Sequence, residues 1–183
     1  MKKKWQGLKI KKITADTLVI GQDTLWTTFI KKRYDIDSIP DFDAIKVYFG
    51  GCYGTCPVQQ IVIFKSGNVL YDGFEYVDNI GSFKSTVKRQ QFSNIARRFK
   101  EAKYNVLYDD YFESVSDMRR IIVTFYQNNK IIKSVSDYAS SSPDEFQWAY
   151  IKVEHLISQL KMYKDTTRVA SDNFKLLPPP VKE

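Results

Sequence analysis

The sequence predicts an α+β fold, an antiparallel sheet covered by two helices with a small N-terminal β extension, and three observations carry that prediction. Apolar residues alternate at period two in short runs bounded by glycine, asparagine and proline turns. Two longer segments place apolar residues at the i, i+3, i+4, i+7 spacing of a helix with one buried stripe. A hairpin followed by a helix then occurs twice, about sixty residues apart, which reads as a pseudo-repeat. The 183 residues are 43% hydrophobic and 15% aromatic, enough for a sizeable core in one domain with a flank, and too few for a repeat array or a multidomain enzyme.

The elements follow in chain order. Leu8 and Ile10, then Leu18 and Ile20, then Leu25, Trp26 and Phe29 alternate around Gly21-Gln22 and predict two or three short strands. A polar connector from Lys31 to Asp43, with Pro40 inside it, leads to a strand at Ile45 to Phe49. After the Gly50-Gly51 and cysteine turn come strands at Ile61 to Phe64 and Val69 to Tyr71, joined at Ser66-Gly67, where glycine tolerates the positive φ of a tight turn. The first helix is predicted from Lys88 to Tyr104, with Phe92, Ile95, Ala96 and Phe99 on its core side. Ile121 to Tyr126 and Lys130 to Val135 form a second hairpin across Asn128-Asn129, whose register sets Arg120 opposite Asp137 as an ion pair. Ser142-Pro143-Asp144-Glu145 then starts the second helix, with Ser142 as cap, Pro143 in the first helical position and Glu145 in the third. The resulting division is a basic β extension at 1–40, a main domain at 41–163 and a flexible proline-rich tail at 164–183, stiffened at Pro178-Pro179-Pro180.

The formal net charge is +7, but five of those charges sit in residues 1–40, where nine Lys and Arg meet four Asp. The main domain is nearly balanced and its aromatics are not interleaved with basic residues on one face, which argues against nucleic acid as a partner. No run of residues has the length and apolarity of a membrane span, and the Lys2-Lys3-Lys4 start precedes no apolar signal segment. The expected compartment is therefore the cytoplasm, or an exported one if a signal has been removed from the chain.

The most specific local feature is Cys52-Tyr53-Gly54-Thr55-Cys56-Pro57. Gly54 lets the backbone reverse between the thiols and Pro57 fixes the exit, so the two sulfurs can approach within a compact structural turn, oxidised or reduced. The run Ile45 to Val58, the hairpin with Gly67 and Tyr71-Asp72-Gly73, and Ser134-Val135-Ser136-Asp137-Tyr138 ahead of Pro143 resemble a bacterial domain family of unknown function with a Cys-aromatic-Gly-x-Cys-Pro signature. The resemblance covers roughly residues 43–160 and implies a fold more than an activity.

Catalytic and cofactor chemistry finds little support. Asp109, Asp110, Glu113 and Asp117 read as a solvated acidic loop, the serines have no histidine near them in sequence, and the glycine loop at 50–54 joins strand to strand instead of opening a phosphate-binding helix. No catalytic residue, cofactor or metal is assigned. Two cysteines with a distant histidine also resemble the copper-delivery proteins of the thioredoxin-like Sco class, but there the motif opens a helix, and here Val58 to Phe64 reads as a strand. On a 100° wheel the outer face of the second helix carries Trp148, Ile151, His155 and Met162, a second and partly apolar face that something should cover. Two covers are open: the N-terminal extension with Trp5, Trp26 and Phe29, which is favoured, or a partner chain, including a second copy. The expected function is a non-enzymatic protein-interaction domain, such as the immunity or accessory partner of a bacterial effector. The alternative is a thiol-redox or Cu(I)-handling protein using Cys52 and Cys56.

Overall fold

The computed structural model describes residues 7–168, and the chain divides into two compact units, Met1–Asp35 and Ile36–Glu183. Trp5 and the proline-rich stretch from residue 169 onward lie outside the described residues.

The first unit is a three-stranded antiparallel meander of β1 (Lys9–Ile13), β2 (Thr17–Gln22) and β3 (Leu25–Ile30). Its register pairs Ile20 with Ile10 and Thr27, and Leu18 with Ile13 and Phe29, so the apolar side chains gather on one face. Lys9, Lys12, Trp26 and Ile30 fall on the other, where Lys11 Nζ lies 5.2 Å from the Trp26 ring centre. Gly21 is required at the β2–β3 turn, because a β-carbon there would overlap the carbonyl oxygen of Leu25.

The second unit is built on an eight-stranded sheet in the order β11-β7-β6-β5-β4-β9-β10-β8. Its strands are β4 (Ala44–Phe49), β5 (Val58–Phe64), β6 (Asn68–Glu75), β7 (Gly81–Thr86), β8 (Asp110–Tyr111), β9 (Arg120–Gln127), β10 (Lys130–Tyr138) and β11 (Tyr163–Lys164). All pairings are antiparallel except β8 with β10. Alternation decides the two faces. Ile45 and Val47 stand opposite Ile63 and Ile61 on one side and Phe125 and Val123 on the other, and all six are fully buried. Both helices cover this face. The first, α1 (Arg89–Glu101), buries Phe92, Ile95 and Phe99, and the second, α2 (Asp144–Ile157), buries Phe146, Ala149, Tyr150, Val153 and Leu156. Phe99 meets Phe125 edge to face at 5.2 Å and Phe146 at 5.6 Å, so sheet and both helices share one aromatic core. The expected α+β architecture with two covering helices stands.

Four details differ from the sequence reading, each for a local reason. Residues 81–86 form a strand although Phe83 is the one large apolar side chain among them, because β6 supplies a full ladder of partners. The first helix ends at Glu101, and Tyr104–Val106 continue as a short 3-10 turn after Lys103 takes a left-handed φ of 51°. The β9–β10 hairpin does turn at Asn128 and Asn129, both with positive φ, but a bulge between Ile131 and Lys133 slips the register by one. Arg120 therefore faces Tyr138, Asp137 faces Ile121, and the expected Arg120–Asp137 pair does not form. Finally, Pro143 occupies the cap position of α2, while the Ser142 hydroxyl turns away to Asp137.

Candidate functional site

Cys52 and Cys56 lie in the loop joining β4 to β5, bonded to each other with their Cα atoms 5.6 Å apart. Pro57 leads directly into β5, a strand and not a helix. The loop projects from the sheet, and its tip residue Tyr53 is 87% exposed. Three bonds tie the loop to the start of β9 and the segment before it. Gly50 N–H donates to the Arg120 carbonyl (2.8 Å), Tyr53 N–H to the Asp117 carbonyl (3.0 Å), and the Arg119 guanidinium to the Pro57 carbonyl (3.2 Å).

Arg119 joins this loop to α2. One guanidinium nitrogen donates to the Pro57 carbonyl and another to Glu154 Oε1 at 2.7 Å, while the group lies 4.7 Å from the Phe49 ring centre. The planar fork serves both acceptors from separate nitrogens while its face lies against the Phe49 ring, an arrangement that suits a guanidinium better than a lysine ammonium. The disulfide turn and one flank of α2 are thus held one side chain apart.

The outer side of α2 carries Trp148 at 59% exposure and Ile151 at 37%, with His155 exposed beyond them. His155 borders a shallow groove between the helices, together with Gln91, Asn94 and Lys152. Met162 is not on this face. The helix ends at Ile157, and Met162 lies in the following segment, packed against the core. The wheel projection placed it by continuing a helix past its end. Of the predicted partner-binding residues, α2 therefore carries Trp148, Ile151 and His155, while the predicted structural turn, Cys52, Gly54, Cys56 and Pro57, lies in the stapled loop between β4 and β5.

Two buried carboxylates were not recognised from sequence as organising centres. Asp137, 1% exposed, accepts from the backbone N–H groups of Ser141 and Ser142 (2.8 and 3.2 Å), from the Ser142 hydroxyl (2.5 Å) and from Tyr150 (3.0 Å). It anchors the loop between β10 and α2 and fixes where the helix begins. Burial, first of all, pushes the Tyr150 hydroxyl pKa well above its ordinary value. Asp72, 2% exposed, accepts from Gln60 (2.9 Å), Ser82 (2.7 Å) and Arg168 (3.0 Å), and Arg168 also donates to the Tyr71 and Phe83 carbonyls. Both carboxylates are saturated with donors, the condition for burying a charge stably. The acidic loop is partly neutralised, with Asp109 paired to Lys133 and Asp110 to Arg120. Among the described residues no group of three His, Cys, Asp or Glu side chains could hold a metal, and no helix is long and apolar enough to cross a membrane.

This is a sheet-and-helix domain with a disulfide-stapled loop and a partly apolar outer helix. By sequence, residues 43–157 match the family model DUF6438, a domain of unknown function, and the chain belongs to that family. Comparison with curated proteins gives no match.

Proposed function

We propose that the second unit is a protein-binding domain whose docking site is the outer face of α2. The observation that carries this reading is the pair Trp148 and Ile151, exposed on a helix whose opposite side is locked into the core by Phe146, Ala149, Tyr150 and Val153. A large aromatic beside a branched aliphatic on a rigid element is the kind of anchor that dominates interfaces, since little ordering entropy remains to be lost on binding. The stapled loop presents Tyr53 on a base held to the same helix through Arg119, which supports a composite surface. A bacterial effector, to which this chain is the immunity or accessory partner, is the partner class to seek first. The single disulfide between the two cysteines of the chain supports an oxidising, exported setting.

The test is co-purification from the source organism, identification by mass spectrometry and a titration of the partner found. Trp148→Ala is expected to weaken its binding at least about tenfold while the thermal midpoint moves by less than about 2 °C, as for an exposed site. Unchanged affinity overturns the reading. So does unfolding by Trp148→Ala, which would make the face internal.

The Cys52–Cys56 pair itself favours a second reading, thiol-redox or Cu(I) handling. Titrating the reduced protein with Cu(I) separates the two. High-affinity binding of one copper, lost on Cys52→Ser, would replace the docking reading.

A further inference from the structure

The first unit has an apolar face without a core behind it. Among its described residues only Gly21 is buried, and the large side chains of the central strand, Leu18, Val19 and Ile20, are no more than partly buried. Yet Leu8, Ile10, Ile13, Leu25 and Phe29 are 64%, 63%, 70%, 81% and 52% exposed; the register puts Ile10, Ile13, Leu25 and Phe29 on the side that Ile20 occupies in the central strand, and Leu8 lines one hollow with Ile20, Leu25 and Phe29. A three-stranded sheet needs its apolar face covered to persist in water, and a contiguous patch of this kind marks an interface.

We propose that this face is a homodimer interface, in which the meanders of two copies of the chain pack face to face as a six-stranded sandwich. Three features select a second copy as the occupant. The exposed parts of these side chains amount to roughly 700 Å² per copy, about 1,400 Å² for a pair, which lies in the range of a specific interface. The face carries no charged side chain in its strand positions, so a two-fold axis through it brings no like charges together. The basic residues Lys9 and Lys12 project from the opposite face, away from the apolar one. An anionic lipid surface would require both kinds of residue on one side, and the meander separates them. Two such sheets pack about 10 Å apart with their inner side chains interdigitating.

The proposal is independent of the docking site on α2. It is tested by sedimentation equilibrium of the full chain between about 1 and 100 µM. The native chain is expected to be a dimer in this range. The double variant Leu25→Glu/Phe29→Glu should raise the dissociation constant at least a hundredfold. Ile30→Glu, on the same strand at 75% exposure but pointing to the other face, should leave the dimer intact, as should Trp148→Ala. If the double variant loses amide-exchange protection in residues 17–22, Leu25→Ser alone serves instead and should weaken the dimer at least tenfold. A monomeric native chain at 100 µM overturns the proposal, and protection of residues 8–29 in that monomer would assign the cover to another segment of the same chain. Dimerisation that survives the face substitutions, or that is lost equally on Ile30→Glu, also overturns it.

Discussion

The two units of this chain use the same alternating strand chemistry to opposite effect. In β4, β5 and β9, alternation sets Ile45, Val47, Ile61, Ile63, Val123 and Phe125 under two helices, and each is fully buried. In β1 and β3 the pairing, with a bulge between Ile10 and Lys12, likewise aligns Ile10, Ile13, Leu25 and Phe29 on one face, and each remains more than half exposed. Pattern alone therefore orients side chains but does not stabilise them. What distinguishes the units is the covering layer, here supplied to one sheet by the stripes of α1 and α2.

The largest expected difference between the units appears in alkali. Burial raises the pKa of Tyr71, Tyr104 and Tyr126 to about 12, whereas in the unfolded chain they ionise near 10. Between those values the folded state keeps protons that the unfolded state has released. Stability from these groups is thus complete below about pH 10 and is lost as pH rises towards 12, by about 2–3 kcal/mol for each tyrosine. Lys46 acts in the opposite sense. Burial lowers its pKa against the favourable charge of Asp72, so the second unit gains a little stability as pH approaches 10.5. Urea unfolding at pH 9, 10, 11 and 12 should show a net steep loss dominated by the tyrosines. Amide exchange in residues 9–30, which contain no tyrosine, should not follow that titration, and a parallel loss there would show that the two units unfold as one.

A matched pair of substitutions reads the same comparison directly. Phe125 is wholly buried against Phe42, Phe99 and Tyr104, and Phe125→Ala is expected to reduce stability by about 3–5 kcal/mol through lost burial and the cavity left behind. Phe29, also a strand phenylalanine, is 52% exposed, and Phe29→Ala should change the stability of the dilute chain by less than about 0.5 kcal/mol. Equal losses in chemical denaturation would mean that Phe29 is covered in solution.

How far the sequence could be read follows from which signals are local. Both helices and the central strands were legible because their stripes and alternations repeat over several residues. The disulfide turn was legible because Gly54 sits between the two cysteines and Pro57 directly follows the second. The one-residue slip in β9–β10 was not, because counting outward from Asn128-Asn129 assumes that no residue is inserted. Adjacent Ile131 and Ile132, 51% and 39% exposed, are the only trace of the bulge, as a break in alternation. That slip matters, since it turns Asp137 towards Tyr150 and Ser142 and leaves Arg120 to Asp110 and Ser136. Asp72 with Arg168, 96 residues apart, and Arg119 between Pro57 and Glu154 are long-range meetings that no local pattern encodes. Met162 failed for a simpler reason: a helical wheel has no stop signal of its own, and Ser158 ends the helix four residues earlier.

The smallest of these effects concerns the stapled loop, and it asks whether the disulfide supports the core or only the surface. Closing so short a loop restricts the unfolded chain modestly, by about 2 kcal/mol on the chain-entropy account. In the folded state the loop keeps three other restraints: Gly50 on Arg120, Tyr53 on Asp117 and Arg119 on Pro57. Cys52→Ser is therefore expected to lower the stability of the second unit by about 2 kcal/mol in urea. Amide protection in β4 and β5 should remain, because Ile45, Val47 and Ile61 owe their burial to the helices and not to the sulfurs. Protein purified without reductant should contain no free thiol. A loss well above 4 kcal/mol, or unprotected β4 amides in the variant, would show that the staple holds the sheet itself, and the contrast between a core secured by its covering layer and a loop secured by covalent closure would fail.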